Sequence, residues 1–427
     1  MRINKVALAV TALLAASQVN AAGFQVSEHS ASGLGRAFAG EAAIGDNAAS
    51  LARNPALMAT FDKAQLSVVA SYVSPDVDAE SSTFGKADDI APAQVVPAMY
   101  YIQPINDKVA VGLAIYSNYG TGTEYPNNYA AGAVAGTTSI ATVNFNPNVS
   151  YRINEQFSVG AGVSFVYASA ELKRNAGALA PALSAGKIND PTMNVATMEG
   201  DGYGFGWNVG ALYEINKNNR LGISYKSKVK TELKGDYTGI ASSTLLSGSP
   251  LLDQKTVDGT LDIDLPSILE VSGYHKLTDK FAVSYSWMYT TWSDFGDIVA
   301  EGSECGKIPL PGSTPGVCLE KKEDYSNSSR YSVGGEYYLS EVVTLRAGYA
   351  FDEQGGEATL SIPDTDRQWY TAGMTYKATP ALSFDFAAAL VAGKEIEFKE
   401  ELTTGVSGTF KSSGDAYIYS AQMNYSF

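Results

Sequence analysis

The chain closes on Tyr417-Ile418-Tyr419-Ser420-Ala421-Gln422-Met423-Asn424-Tyr425-Ser426-Phe427, and the reading of this stretch decides the fold. In an extended strand, successive side chains point to opposite faces. Tyr417, Tyr419, Ala421, Met423, Tyr425 and Phe427 therefore share one side, and Ser420, Gln422, Asn424 and Ser426 share the other. One greasy, aromatic face and one polar face suit lipid outside and a polar lumen inside. A soluble β-sandwich also alternates. The aromatic residue at the very end, on the alternating face, favours an outer-membrane barrel.

The same period recurs upstream. Phe281, Val283, Tyr285, Trp287 and Tyr289 oppose Ala282, Ser284, Ser286 and Met288. Val343, Leu345, Ala347, Tyr349 and Phe351 oppose Thr344, Arg346 and Gly348, while Leu382, Phe384 and Phe386 oppose Ser383 and Asp385. Fourteen candidate strands follow, near 65–73, 95–103, 109–119, 141–153, 157–173, 202–215, 220–233, 259–276, 280–298, 326–339, 342–351, 366–377, 381–397 and 411–427. An even count suits a closed, transmembrane antiparallel β-barrel without edges. Short turns such as Asn106-Asp107, Asn216-Lys217-Asn218 and Thr278-Asp279 are expected on the periplasmic side. Longer connections at 174–201, 234–258, 299–325 and 352–365 are expected outside. Several strands exceed the roughly 9–11 residues of a membrane crossing, so the barrel should project past the outer leaflet.

Composition agrees. The chain has 427 residues and is 45% hydrophobic but only 18% charged, against about 25% charged in ordinary soluble domains. Its 26 Tyr and 41 Gly fit a wall that meets a lipid interface. The net charge of −15 argues against a nucleic-acid partner, whose footprint is basic. Two Cys and two His leave no room for a thiolate metal site, and no metal or cofactor is expected. There is no GxxxxGK[ST], GxSxG or HExxH motif, so an enzyme is not expected.

Residues 1–21 read as a signal peptide: Arg2 and Lys5, then the apolar run Val6–Ala16, then Val19-Asn20-Ala21 before the cut. No later run is long enough for a spanning helix. Residues 22–63 do not alternate. Their apolar content (Phe24, Leu34, Phe38, Ile44, Leu51, Leu57) argues against disorder, and an N-terminal lumenal plug is the expected role. Residues 64–427 are then the barrel with long extracellular loops. Cys305 and Cys318 fall in one outer loop, and after export a bridge between them is expected.

These residues resemble the outer-membrane long-chain fatty acid transport proteins, the FadL family. The likeness rests on Gly33-Leu34-Gly35-Arg36-Ala37, Gly40-Glu41, Asn54-Pro55-Ala56, Asp88-Asp89-Ile90-Ala91-Pro92 and Ser117-Asn118-Tyr119-Gly120. Gly204-Phe205-Gly206-Trp207-Asn208, Glu270-Val271-Ser272-Gly273-Tyr274 and Ile362-Pro363-Asp364-Thr365-Asp366-Arg367 keep the same order to the end of the chain. The resemblance implies a barrel of fourteen strands with an N-terminal hatch, an extracellular hydrophobic groove, and a kink in the third strand that opens the wall sideways. The hatch would include Phe24, Asn54, Pro55 and Ala56. The lateral opening would fall at Gly120 and Gly122, which weaken strand pairing; an ordinary strand-to-loop turn is the alternative there.

For the ligand, the resemblance implies Arg174 and Lys321 as the basic residues that hold a fatty acid carboxylate. Solvated rim charges are the alternative reading of both. Leu179, Leu183, Leu245, Leu246, Leu251 and Leu252 are apolar residues in loop-like stretches, expected to line the groove or to pack the two loops together. A family relative admitting aromatic hydrocarbons or other small apolar solutes is the runner-up; a general diffusion porin and a lipid hydrolase follow behind it. Expected surroundings are outer-membrane lipid and lipopolysaccharide. The outer loops are accessible to phage, and a monomer is the expected assembly.

Overall fold

The computed structural model describes residues 24–178, 181, 186, 188–240, 254–303, 305, 316–321, 323–403 and 406–427. The expected leader, Met1–Ala21, lies outside them. Among the described residues, fourteen antiparallel strands close into one barrel. They are β1 (Gln65–Ser81), β2 (Gln94–Pro104), β3 in two pieces (Val109–Tyr116 and Gly120–Glu124), β4 (Gly136–Arg152), β5 (Phe157–Asn175) and β6 (Asn194–Asn216). Next come β7 (Asn219–Lys226, Val229–Ile240), β8 (Gln254–Leu265, Ile268–Thr278), β9 (Phe281–Thr290, Ile298–Glu301) and β10 (Val317–Lys321, Ser328–Tyr338). The last are β11 (Val343–Asp352), β12 (Arg367–Lys377), β13 (Leu382–Gly393, Ile396–Thr403) and β14 (Val406–Ser426). Each strand pairs with the next. β14 closes on β1 from Gln65↔Ser426 to Glu80↔Lys411, so the sheet closes on itself.

The alternation is realised as a lipid-side wall. Phe145, Phe165, Phe205, Trp207, Tyr285, Trp287, Tyr331, Tyr417, Tyr419 and Phe427 are exposed, while Asn146, Asn148, Ser284, Ser286, Ser332, Gln422 and Asn424 are buried inside. At the short-turn end, Asx side chains set the hairpins. Asn106 Oδ1 accepts from the N–H groups of Lys108 and Val109, each at 2.9 Å, and Asn154 does the same for Gln156 and Phe157.

At the far end the ladder runs further than the alternation suggests. Val229–Ile240 pairs with Gln254–Leu265, and Ile298–Glu301 pairs with Val317–Lys321, so residues 234–240, 254–258, 299–301 and 317–321, read above as loop, belong to the ladder. Beyond the bilayer neither face needs lipid, so Lys234-Gly235-Asp236 and Asp258-Gly259-Thr260 carry no apolar period while their backbones still pair. A disulfide joins Cys305, in the β9–β10 connection, to Cys318 on β10.

Residues 24–58 are almost wholly buried. One helical turn (Ala31–Leu34) and two 3₁₀ turns (Ala48–Ala52 and Pro55–Thr60) lie along residues 24–60. Each begins at a side-chain cap, from Ser30, Asn47 and Asn54. Their polar groups reach inward-facing side chains around the wall. Ala31 N–H donates to Gln422 on β14 at 2.8 Å, Gly40 N–H to Ser286 on β9 at 2.8 Å, and Ala48 N–H to Ser67 on β1 at 3.2 Å. Arg36 pairs with Glu41 (2.7 Å), Asp46 (2.9 Å) and, on β10, Glu336 (2.7 Å); Glu336 also meets Arg346 of β11 at 2.8 Å. The inward glycines answer a close approach of backbone. A Cβ on Gly222 would stand 1.8 Å from the Ala42 carbonyl oxygen, and one on Gly348 would stand 2.2 Å from the Arg36 carbonyl carbon.

Candidate ligand-binding site

Two cations converge on one hydroxyl near the outer end of the barrel. Arg174 is the next-to-last residue of β5, and Lys321 ends the first piece of β10. Arg174 Nη2 donates to Ser361 Oγ at 2.8 Å, and Lys321 Nζ donates to the same oxygen at 2.5 Å. Arg174 is buried and makes its other bonds to Thr137 O (2.9 Å), Lys173 O (2.8 Å) and Thr138 Oγ1 (3.2 Å). All four acceptors are neutral. Among the described residues no carboxylate stands within ion-pairing distance of this guanidinium. Lys321 also donates to Thr359 Oγ1 at 3.2 Å, and its carboxylate neighbours are Glu323 at 3.4 Å and Glu400 at 3.7 Å.

An apolar cluster adjoins this polar knot. Leu360, Tyr125, Tyr129, Phe410 and Ile90 are buried together. The Tyr125 and Tyr129 rings stack at 5.2 Å, and both hydroxyls are buried without a hydrogen-bond partner among the described residues. Burial pushes the Tyr129 phenol up to about 12. A neutral serine is a weak acceptor for two charges. An anionic head group would be a better one, since hydrogen bonds to carboxylate are the stronger class and Arg offers a planar fork.

Phe24 lies fully buried in an aromatic cage. Its ring centroid is 4.6 Å from Phe295, 4.7 Å from Trp292, 5.8 Å from Tyr119 and 6.3 Å from Tyr325. Its backbone is bonded to the break in β3. Phe24 O accepts from Gly120 N–H at 2.8 Å, and Val26 N–H donates to Asn118 O at 2.7 Å. The break covers residues 117–119. Below it β3 pairs with β2 as far as Met99↔Ile115; above it Gly120–Glu124 pairs only with β4, Gly120 opposite Ala141 and Gly122 opposite Ser139. Hydrogen bonding between β2 and β3 thus stops where Phe24 is docked. Ser361 links the two regions, because its carbonyl accepts from Thr123 Oγ1 at 3.0 Å.

The structure brings Arg174 and Lys321 together, and sets Phe24, Gly120 and Gly122 about one break. Asn54, Pro55 and Ala56 stand elsewhere, against the inner wall: Asn54 Nδ2 donates to Ala42 O (2.7 Å) and to Ala211 O of β6 (3.0 Å), and its Oδ1 accepts from Ala56 N–H at 2.9 Å. Leu179, Leu183, Leu245, Leu246, Leu251 and Leu252 lie outside the described residues. Ser361, Glu323, Tyr125, Tyr129, Trp292, Phe295 and Tyr325 were not singled out from sequence. For Trp292 and Phe295 the signal was present: Thr291-Trp292-Ser293-Asp294-Phe295-Gly296 breaks the period of β9, and Gly296 turns the chain at φ 69°. The other residues lie in loops or near strand ends that carry no period to read.

The family profile described as "Outer membrane protein transport protein (OMPP1/FadL/TodX)" matches residues 12–427. The long-chain fatty acid transport protein of Escherichia coli O6:H1 is 38% identical over 450 residues, covering 99% of this chain and 98% of that one. The 47 kDa outer membrane protein of Pasteurella multocida is 41% identical over 444 residues, covering 100% and 99%. Among solved structures, a Pseudomonas aeruginosa FadL homologue superposes with a TM-score of 0.83 at 23% identity, covering 95% of this chain and 100% of the other. The Pseudomonas putida toluene transporter TodX gives 0.71 at 18% identity, covering 96% and 100%. These last two likenesses show the fold.

Proposed function

From the premise that the chain belongs to the outer membrane protein transport protein (OMPP1/FadL/TodX) family, we propose that it takes up long-chain fatty acids. The protein is an outer-membrane β-barrel whose family transports hydrophobic substrates. In our reading Arg174 and Lys321 hold the carboxylate, and the tail lies among Leu360, Tyr125, Tyr129 and Phe410. The observation that carries this is Arg174: a buried guanidinium, aimed with Lys321 at one neutral oxygen and, among the described residues, with no carboxylate within ion-pairing distance. A purely apolar solute needs no such pair. Each methylene buried contributes about 0.8 kcal/mol, so a dozen give about 10 kcal/mol before ordering losses.

Residues 22–63 then act as the hatch. A head group bound at Lys321 lies four residues from Tyr325, whose ring touches Phe24. Shifting Phe24 releases its bond from Gly120 and, next to it, the Val26 bond to Asn118, and the break in β3 becomes the exit through the wall at Gly120 and Gly122. Leu179, Leu183, Leu245, Leu246, Leu251 and Leu252 would form the outer groove. Oleate binding by wild type and by Arg174→Ala/Lys321→Ala, in competition with toluene, tests the reading. It predicts that the double variant loses oleate and that toluene competes poorly. Unchanged oleate affinity, or toluene displacing oleate at equal concentration, would point to the hydrocarbon reading instead.

A further inference from the structure

The charges of the candidate carboxylate site already balance without a ligand. Arg174 and Lys321 supply two positive groups; Glu323 and Glu400 supply two negative ones. Glu400 is held, since its Oε2 accepts from Leu360 N–H at 2.9 Å. Glu323 is not. Its side chain is fully buried, its two oxygens accept no well-aligned hydrogen bond among the described residues, and its nearest cation, Lys321 Nζ, spends its closer contacts on Ser361 and Thr359. A third negative charge brought by a ligand would leave the buried site with an uncompensated anion, which is costly.

We propose that Glu323 makes this a proton-linked site: an anionic head group enters together with one proton, which Glu323 holds. The inference rests on the carboxylate reading above. The proton passes from bulk water to a Glu323 carboxylate oxygen as the head group arrives and returns to water when it leaves. Protonated Glu323 gains an O–H donor, and Lys321 is left free for the ligand. Every charged or titratable neighbour fits. Lys321 and the Tyr325 phenol lie on the same stretch as Glu323. Glu400 faces it from β13, and Arg174 from β5. The Asp364–Arg367 pair (2.9 Å) joins the β11–β12 connection to the first residue of β12. Asp297, in the break of β9, accepts the Glu323 backbone N–H at 3.0 Å and adds negative charge beside it. Burial already pushes the Glu323 carboxyl above the ordinary carboxylate range before any ligand binds.

The probe is a long-chain alkyl sulfonate, whose head group stays ionised and carries no proton of its own. Titrations of the purified full chain in maltoside micelles, in buffers of different ionisation enthalpy, read the protons taken up. Wild type should take up about one proton per sulfonate, and affinity should fall about tenfold per pH unit through the window between the free and bound pKa values of Glu323. In Glu323→Gln, close in shape and permanently neutral, uptake and slope should vanish with binding kept at the low-pH level. Binding without proton uptake in wild type, or the slope persisting in Glu323→Gln, overturns the proposal while leaving the carboxylate site intact. If neither sulfonate nor oleate binds wild type, the carboxylate reading fails and takes this inference with it.

Discussion

Replacing Phe24 by Ala removes a ring with no exposed surface, set within 4.6–6.3 Å of four aromatic neighbours. Truncating a buried Phe to Ala costs about 3–5 kcal/mol. The ring does not belong to the wall, so the loss falls on the docking of residues 24–27 against β3. At about 1.4 kcal/mol per decade, the undocked population rises roughly 10²–10³-fold. Gln25→Cys provides the readout, because Gln25 is 6% exposed when docked. With labelling slow against re-docking, the maleimide reaction rate follows the open fraction. Labelling in Phe24→Ala/Gln25→Cys should therefore outrun Gln25→Cys alone by two to three orders of magnitude (roughly, as above). Phe24→Leu keeps most of the volume and should stay within about tenfold. Heat unfolding of the wall should be unmoved in all three, since no ladder bond is touched. Equal labelling rates with and without the ring would refute the claim that Phe24 fastens the segment to the break.

Two further outcomes follow from the contact of the segment with the wall. Arg36→Ala leaves Glu41, Asp46 and Glu336 without their shared cation; breaking buried pairs this way costs about 3–5 kcal/mol, which should appear as faster amide exchange over residues 31–46, with Arg36→Lys restoring only part because Lys lacks the planar fork. Exchange matching wild type in Arg36→Ala would show the network to be idle. Gly222→Ala drives a methyl into the Ala42 carbonyl, 1.8 Å away; backbone must move, at about 1–3 kcal/mol, and exchange near Ala42 and Asn54 should rise while Gly335→Ala, where a Cβ meets nothing nearer than 3.6 Å, tests the same substitution without that contact.

The barrel was legible because membrane strands write their environment into neighbouring residues. Tyr417 through Phe427 alternate, and the structure exposes Tyr417, Tyr419 and Tyr425 while burying Ser420, Gln422 and Asn424. The outer ends were less legible. Val229–Ile240 and Gln254–Leu265 pair over their full length, but water on their outer side demands no apolar face. The breaks carry signals of a different kind, visible only as places where the period fails, as at Thr291–Gly296.

A strand's face pattern is local, so residues two apart suffice to declare a wall and its lipid side. The ligand site is not local. Arg174, Lys321 and Ser361 are separated by long stretches of chain and come within hydrogen-bond distance only because β5 and β10 end at the same rim and the β11–β12 connection folds between them. Likewise the choice of Phe24 as the residue set into the wall's break, and the burial of the Glu323 carboxylate with no well-aligned hydrogen bond among the described residues, depend on which groups the closed barrel brings together. Pairing across such distances is decided by closure, which no window of sequence contains.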